Sequence, residues 1–155
     1  ANIVKFGGAD LGICGKDVIE EFLSPEFYSI LDLGIGKCRL SLAYPQGIDF
    51  DIKKAKQIRV ATKYPNITQR YFNNLGIQTE IIKLNGAIEI ATKLKLCDYI
   101  VDLVSSGKTL NENKMIESQK ILEVSSFLIT NRTSLKTKNS QIYKIIKMFD
   151  AHQDV

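Results

Sequence analysis

One stretch of the sequence combines residue types that suit the binding of a phosphate monoester. An apolar run over residues 98–104 contains the acid Asp102 near its end. A loop of small, hydroxylated and basic residues follows, made of Ser105, Ser106, Gly107, Lys108 and Thr109. Backbone N–H groups beside a glycine can approach an anion closely, and hydroxyl groups add further donors. We therefore predict a phosphate-binding loop at residues 105–109, with Asp102 placed to accept hydrogen bonds from ribose hydroxyls.

Two other interpretations of the same loop have to be weighed. The triplet Gly107-Lys108-Thr109 resembles the end of the P-loop of nucleotide-binding proteins. That motif requires a glycine five residues earlier, where this sequence has Asp102, so it is excluded. The second interpretation is a surface turn that caps a helix, because serine, glycine and threonine are common in turns. Local sequence alone leaves that interpretation open.

The segments before this loop predict an α/β fold. Apolar and β-branched runs at residues 58–62, 78–84 and 99–104 are typical of strands, and helical spacing connects them at residues 66–75 and 88–94. The resulting βαβαβ order favours a parallel sheet with right-handed crossovers. Ligands in such sheets bind beyond the carboxyl ends of the strands, which is where residues 105–109 begin.

Further elements are predicted on both sides of this unit. We expect strands at residues 9–14 and 38–44, a helix at 16–22, and one long strand or two joined strands at 121–130. The turn 45–47 contains proline and glycine and suggests a lobe boundary. In the C-terminal segment 140–149, four apolar residues share one helical face, which predicts a docked helix: Ile142, Ile145, Ile146 and Phe149.

Composition narrows the classes of function. The 155 residues are 45% hydrophobic and 25% charged, as in globular proteins. Neither a long apolar run nor a signal peptide is evident, so we expect a cytoplasmic protein that binds no membrane. The formal net charge of +4 suits anionic ligands. Because the basic residues are dispersed, phosphorylated metabolites are favoured over nucleic acid. Cysteines 14, 38 and 97 suggest buried thiols and no disulfide framework.

Several blocks of the sequence resemble the ATP phosphoribosyltransferase family. The main block contains Glu89 and then, at residues 98–110, an apolar strand, Asp-Leu-Val, Ser-Ser-Gly, any residue and Thr-Leu. Other matching blocks occur in order at residues 8–17, 31–40, 59–65, 81–86 and 131–132. Together these blocks cover nearly the whole chain.

The resemblance implies a two-lobed α/β architecture of the periplasmic-binding-protein type II kind, with the substrate cleft between the lobes. The first lobe would be discontinuous, formed by residues 1–45 and 129–155, and the second lobe would comprise residues 46–128 with the phosphate loop. Family members begin with a strand and a Lys-Gly-Arg-Leu type loop before the first block found here, so part of the first lobe is expected to be missing. The end of the sequence resembles the short family form, which lacks an added regulatory domain.

The resemblance also implies an activity and roles for residues. The family transfers the 5-phosphoribosyl group of phosphoribosyl pyrophosphate to N1 of ATP and releases pyrophosphate with the help of Mg²⁺, which is the first step of histidine biosynthesis. The loop 105–109 would hold the 5-phosphate, Asp102 the ribose, and Glu89 the adenine or the ribose near the reacting centre. Five basic residues in matching blocks are expected to contact the triphosphate or pyrophosphate: Lys16, Lys37, Arg39, Arg59 and Lys63. The single histidine, His152, is expected to be a tail residue.

The short form implies partners as well. It works with a regulatory subunit similar to histidyl-tRNA synthetase, and we expect a homodimer within a hetero-oligomer. Two alternative functions stay open: a non-catalytic two-lobed module that binds a nucleotide or phosphosugar, and a phosphoribosyltransferase that uses another base. Pyrophosphate release and its nucleotide dependence distinguish these three readings.

Overall fold

A computed structural model describes residues 1–24, 26–48 and 57–150 of the chain. In chain order the elements are α1 (Asn2–Lys5), β1 (Leu11–Gly15), α2 (Lys16–Phe22), β2 (Phe27–Asp32), β3 (Cys38–Pro45), β4 (Gln57–Thr62), α3 (Pro65–Asn74), β5 (Gln78–Lys83), α4 (Ile88–Lys93), β6 (Tyr99–Val104), α5 (Lys108–Glu112), β7 (Met115–Val124), β8 (Ser126–Asn131), α6 (Arg132–Thr137) and α7 (Asn139–Asp150). They form two compact units.

The first unit is discontinuous in sequence and contains residues 1–37 and the chain from residue 124 onwards. Its sheet has the order β1-β8-β2, and β8 runs antiparallel to both neighbours. Val4, Phe27 and Ile129 form the buried core of this unit. The buried side chain of Asn131 ties two helices together, because its Nδ2 donates to the carbonyl of Val4 at 2.8 Å while its Oδ1 caps the start of α6.

The second unit contains residues 38–123 and a five-stranded sheet of order β5-β4-β6-β3-β7. Strand β4 is parallel to β5 and to β6, whereas β3 is antiparallel to β6. Helices α3 and α4 connect the parallel strands, and Ile88, Ala91 and Leu110 pack with Ile100 and Met115 in the core. The predicted βαβαβ unit is therefore present, and its strands end at the edge where β6 leads into residues 105–109.

The boundaries between the two units lie at 37/38 and 123/124. The predicted lobe boundaries were 45/46 and 128/129. Strand β3 pairs with β6 from Arg39 to Ala43, so residues 38–45 belong to the second unit rather than the first. Residues 124–128 belong to the first unit, where β8 pairs with β1 and β2 from Ser126 onwards. Pro45 ends β3 and Gly47 follows it, both inside the second unit, so residues 45–47 do not separate the units.

The C-terminal helix forms as predicted but buries less of its apolar face. Of the four residues expected to dock, Ile142 is buried and Ile146 half-buried, whereas Ile145 and Phe149 are exposed. Cys97 is buried, and Cys14 and Cys38 are half-buried. Within the described ranges, no helix is long and apolar enough to cross a membrane. His152 lies outside the described residues.

Candidate functional site

The loop after β6 owes its shape to one glycine. Gly107 has a φ of +79° and is the N-cap of α5, and its carbonyl accepts a hydrogen bond from the N–H of Asn111 at 3.1 Å. The Lys108 N–H donates to the hydroxyl of Ser106 at 3.4 Å. A Cβ at residue 107 would meet no atom within 4 Å, so the requirement for glycine comes from the backbone conformation and not from crowding.

This loop forms one side of a cavity of about 180 Å³. Seven residues of the predicted site line it: Glu89, Asp102, Ser105, Ser106, Gly107, Lys108 and Thr109. Apolar lining comes from Ile100, Leu103, Val104 and Leu110. Carboxylates, hydroxyls and backbone groups thus face one space bounded by apolar side chains, which is the composition of a site for a small polar ligand.

Asp102 is half-buried on β6 and has unusual electrostatics. Burial raises the pKa of its carboxyl group, and the nearby charge of Glu89 acts in the same direction. The N–H of Leu103, which donates to Oδ1 at 2.8 Å, and the charge of Lys63 oppose this rise in the pKa. A carboxylate that is costly to keep charged gains from new hydrogen-bond donors, and ribose hydroxyls are such donors.

Glu89 reaches the cavity from the first turn of α4. Its side chain is half-buried, and α4 begins after Ala87, which has a φ of +51°. An acidic residue is favourable in the first turn of a helix because the N-terminal end of the helix dipole is positive. The cavity therefore contains two carboxylates, one from a strand and one from the start of a helix.

Lys63 is placed beside Asp102 by the register of the sheet. Thr62, the last residue of β4, pairs with Val101 of β6, so the next residues of the two parallel strands are Lys63 and Asp102. The buried Thr62 hydroxyl donates to the Val101 carbonyl at 2.8 Å and accepts the N–H of Tyr64 at 2.9 Å. These bonds fix the turn that presents the exposed Lys63 at the carboxyl edge of the sheet.

Arg39 approaches the loop from the neighbouring strand β3. Its Nη1 donates to the carbonyl of Ser105 at 3.0 Å, while Nε and Nη2 donate to the two carboxylate oxygens of Glu117 at 2.5 and 2.6 Å. The Ser41 hydroxyl donates to the same carboxylate at 2.7 Å. The predicted contact of Arg39 with a substrate phosphate stays a prediction, because its guanidinium binds protein groups in this structure.

Arg59 lies at the other end of the same sheet. It pairs with Asp98 through Nη2 at 3.2 Å and through its own N–H at 3.0 Å, and Nη1 donates to the carbonyl of Lys95 at 3.3 Å. Asp98 precedes β6, whereas Asp102 and the loop lie at its end. Asp98 and Asp102 are four positions apart along the strand, which corresponds to roughly 13 Å. The structure therefore does not bring Arg59 to the cavity.

Lys16 and Lys37 belong to the first unit. Lys16 begins α2, and its N–H donates to the carbonyl of Ser125 at 2.9 Å. The Asp32 carboxylate accepts hydrogen bonds from the Gly34 N–H and the Ser125 hydroxyl, which lower its pKa, and the charges of Lys37 and Lys16 lower it further. Both lysines thus lie near one carboxylate, and their contacts with a substrate stay a prediction.

Sequence reasoning missed Glu117 and Ser41, which hold Arg39 in place. Glu117 lies on β7, whose start at Met115 precedes the expected start at residue 121. No motif marks Glu117, and its relation to residues 39 and 105 depends on β7 lying next to β3. An arginine inside a largely apolar strand was the one signal available, since such a cation needs a partner.

The parallel strands, the glycine-dependent loop after β6 and the cavity at their carboxyl ends define an α/β protein with a candidate ligand site beyond its sheet. Across residues 1–151 the chain matches the family described as HisG: ATP phosphoribosyltransferase. The chain belongs to this family, which confirms the resemblance seen in the sequence.

Curated relatives and a solved structure agree with this assignment. An ATP phosphoribosyltransferase of Rhodospirillum rubrum is 50% identical over 151 residues, which cover 96% of this chain and 66% of the relative. Another, from Sphingopyxis alaskensis, is 51% identical over 149 residues, which cover 67% of that relative. The chain thus spans about two thirds of the length of these relatives. The ATP phosphoribosyl transferase (HisG:HisZ) complex from Thermotoga maritima matches with a TM-score of 0.85 and 31% identity, covering 97% of this chain and 73% of that chain.

More distant solved structures show the fold. A sulfonate-binding periplasmic protein from Methylobacillus flagellatus matches with a TM-score of 0.64 at 15% identity, covering 96% of this chain and 50% of that chain. The ligand-binding core of GluR0 matches with a TM-score of 0.57 at 9% identity, covering 97% of this chain and 75% of that chain. These likenesses confirm the predicted periplasmic-binding-protein type II-like fold.

Proposed function

We propose that the cavity at residues 102–109 binds the 5-phosphoribosyl group of phosphoribosyl pyrophosphate and that the protein transfers this group to N1 of ATP. The products are N1-(5-phosphoribosyl)-ATP and pyrophosphate, as in the first step of histidine biosynthesis. The observation that carries the proposal is the joining of Asp102, Glu89 and the Gly107 loop around one cavity in a member of this family.

The roles of the residues follow from the charge that the reaction develops. In the transfer, the bond between the anomeric carbon and the pyrophosphate oxygen breaks, and a bond from that carbon to N1 of adenine forms. The sugar becomes more positive while the leaving pyrophosphate becomes more negative. Catalysis of this kind depends on positioning and on charge stabilisation rather than on a covalent nucleophile.

Each lining group has a part in this scheme. The loop 105–109 holds the 5-phosphate through N–H and hydroxyl donors, and Asp102 accepts the ribose hydroxyls. The carboxylate of Glu89 lies near the reacting ribose or adenine and favours the positive charge on the sugar. Lys108 lines the cavity and Lys63 lies next to Asp102 at the sheet edge, so both are placed to attract phosphate oxygens. Lys16 and Lys37 are proposed to contact triphosphate or pyrophosphate from the first unit.

Magnesium fits the donor groups of this cavity. Mg²⁺ prefers oxygen ligands, keeps several waters and needs only one or two carboxylates in addition to substrate phosphates. The cavity offers the carboxylates of Asp102 and Glu89. Across the described ranges, no group of three or more His, Cys, Asp or Glu side chains could hold a metal ion. When bound with the substrate, Mg²⁺ would supply neutralisation of the pyrophosphate charge, and Asp102 or Glu89 would be its protein ligands.

The proposed partner is a regulatory subunit similar to histidyl-tRNA synthetase. The support is the likeness to the Thermotoga maritima HisG:HisZ complex, which covers nearly all of this chain. We further propose a homodimer within such a hetero-oligomer and a cytoplasmic location, where ATP and phosphoribosyl pyrophosphate are made and used.

The test is pyrophosphate release from phosphoribosyl pyrophosphate and Mg²⁺, measured with ATP, with other nucleotides and without nucleotide. Each condition is run with and without a HisZ-type subunit, and the Thermotoga maritima complex serves as the positive control. Release that requires ATP supports the proposed transfer. Release with a different base would reassign the acceptor, and tight binding of phosphoribosyl pyrophosphate without any release would identify a binding module instead.

A further inference from the structure

Three side chains hold the phosphate loop from the side of β3 and β7. We call Arg39, Ser41 and Glu117 the Arg39 clamp. The Glu117 carboxylate accepts two hydrogen bonds from the Arg39 guanidinium, at 2.5 and 2.6 Å, and one from the Ser41 hydroxyl at 2.7 Å. The remaining contact joins the clamp to the loop, since Arg39 Nη1 donates to the Ser105 carbonyl at 3.0 Å.

The clamp lies on the same face of the sheet as the ribose-binding carboxylate. In the antiparallel pair of β3 and β6, Arg39 is opposite Val104 and Ser41 is opposite Asp102. Residues directly opposite each other in an antiparallel pair point to the same face. The clamp therefore supports the end of β6 next to the point where the backbone leaves the sheet to form the loop.

The chemistry of arginine explains why this position favours it. A guanidinium is planar and can donate in parallel to both oxygens of one carboxylate while a third N–H points elsewhere. A lysine ammonium is a single point of charge and cannot keep this fixed geometry. The side chains of Arg39 and Glu117 are only 33% and 27% exposed, so water competes less for the pair than it does on an open surface.

We propose that Arg39 and Glu117 are positioning residues of the phosphate loop. Glu117 orients the guanidinium, and the guanidinium fixes the Ser105 carbonyl, so that the loop keeps the shape which the 5-phosphate requires. Arg39 then acts through Ser105 and does not itself touch the phosphate. This inference rests on the proposed function of the cavity.

The discriminating variant is Glu117→Gln, which keeps the shape of the side chain but removes its charge. We expect the Kd for phosphoribosyl pyrophosphate, measured by calorimetry, to rise about tenfold, since a charge-assisted network is lost. The KM for ATP should stay within about twofold of its wild-type value, because the change acts on the loop alone. If Arg39 were instead a direct phosphate ligand, releasing it from Glu117 would leave the affinity unchanged or increase it, and that result would overturn the inference.

Two further single variants keep the test valid if Glu117→Gln folds poorly, and a double variant tests whether Arg39 and Glu117 act together. Arg39→Lys keeps the positive charge but loses the planar group that donates to both oxygens of Glu117. It should weaken binding of phosphoribosyl pyrophosphate as much as Glu117→Gln does. Ser41→Ala removes only one hydrogen bond to Glu117 and should raise the Kd by a smaller factor. The double variant Arg39→Gln with Glu117→Gln should bind about as weakly as either single variant, because the two residues act as one unit. Additive losses would contradict a shared role.

Asp98→Asn is the matched control. It breaks the Arg59 ion pair in the same unit but at the opposite end of the sheet. It should lower the melting temperature and leave the Kd for phosphoribosyl pyrophosphate unchanged. If the wild-type chain does not bind phosphoribosyl pyrophosphate, the proposed function fails and this inference fails with it. If the wild type binds and Glu117→Gln binds equally well, only the positioning role is overturned.

Discussion

The two ends of the five-stranded sheet carry similar charges but differ in what those charges contact. At the carboxyl end of β6, Asp102 faces a cavity and Arg39 holds a loop carbonyl. At the beginning of β6, Arg59 pairs with Asp98 and donates to the Lys95 carbonyl. Residue types alone do not separate these ends, since each has one aspartate and one arginine. Strand direction separates them, because parallel strands deliver a loop for ligands at their carboxyl ends.

Gly107→Val should have the largest effect at the carboxyl end. Valine is strongly disfavoured at a φ of +79°, and the strain amounts to about 1–3 kcal/mol. The loop can relieve the strain only by changing shape, so we expect loss of measurable phosphoribosyl pyrophosphate binding in calorimetry. Gly107→Asn, which tolerates this conformation better, should retain most of the affinity.

Gly76→Val is the matched control for that change. Gly76 has a φ of +70° and, like Gly107, would place a Cβ with no atom within 4 Å, but it follows α3 and does not line the cavity. Both valine variants should lose similar stability in thermal unfolding, and only Gly107→Val should lose binding. Equal binding losses in the two variants would show that the effect is general destabilisation.

Asp102→Asn should have the next largest effect. The amide removes the charge that accepts ribose hydroxyls, and a hydrogen bond to a charged group contributes about 1.5–3 kcal/mol, or roughly ten- to a hundredfold in affinity. The Kd for phosphoribosyl pyrophosphate should rise by a factor in this range while the Kd for ATP changes little. Asp98→Asn makes the same chemical change at the other end of β6 and should leave both constants as they are. An unchanged affinity in Asp102→Asn would refute its ribose role.

The pH dependence of binding should be a smaller and graded effect of the same carboxylate. Burial and Glu89 raise the pKa of Asp102, so on acidification this group takes up its proton at a higher pH than an ordinary aspartate does. The hydrogen bonds from Arg39 lower the pKa of Glu117, so the clamp stays ionised in that window and its stabilisation is lost only at lower pH. Affinity for phosphoribosyl pyrophosphate should therefore fall as the pH drops through the raised pKa of Asp102.

The measurement is calorimetric binding over a pH series in which circular dichroism confirms the fold. In Asp102→Asn this pH-dependent weakening should be absent, because the titrating group has been removed. A wild-type profile that matches that of Asp102→Asn would show that another group controls the affinity.

The sequence predicted the local elements well where a single period dominated. Strands β4, β5 and β6 and helices α3 and α4 were found within one or two residues, since apolar runs and helical spacing are local signals. Strand β2 was not predicted; its burial does not alternate from residue to residue, and a register shift between Ser29 and Leu31 interrupts its pairing. Short helices such as α1 carry too few turns to show a period.

The part of the candidate site that depends on local sequence was also predictable. Residues 102 and 105–109 lie within one short stretch of sequence, and their acidic, glycine and hydroxyl pattern is visible without knowledge of the fold. The roles of the basic residues were not predictable, because the same type of side chain can bind a phosphate or form an ion pair within the protein. Glu117 is 78 residues from Arg39 in sequence, and only the order of strands β6, β3 and β7 brings the two together.

Arg59→Gln should have the smallest effect and sharpens the contrast between the two ends. Arg59 belongs to a sequence block shared with the family, yet its guanidinium pairs with Asp98 at the end of the sheet away from the cavity. An ion pair of this exposure contributes little to stability. We expect a small drop in melting temperature and unchanged KM values for phosphoribosyl pyrophosphate and ATP in steady-state kinetics. Lys63→Gln, at the carboxyl edge of the sheet, should by contrast weaken substrate binding. A clear loss of ATP affinity in Arg59→Gln would mean that this arginine leaves Asp98 to bind substrate, and strand position would then be a poor guide to phosphate contacts in this protein.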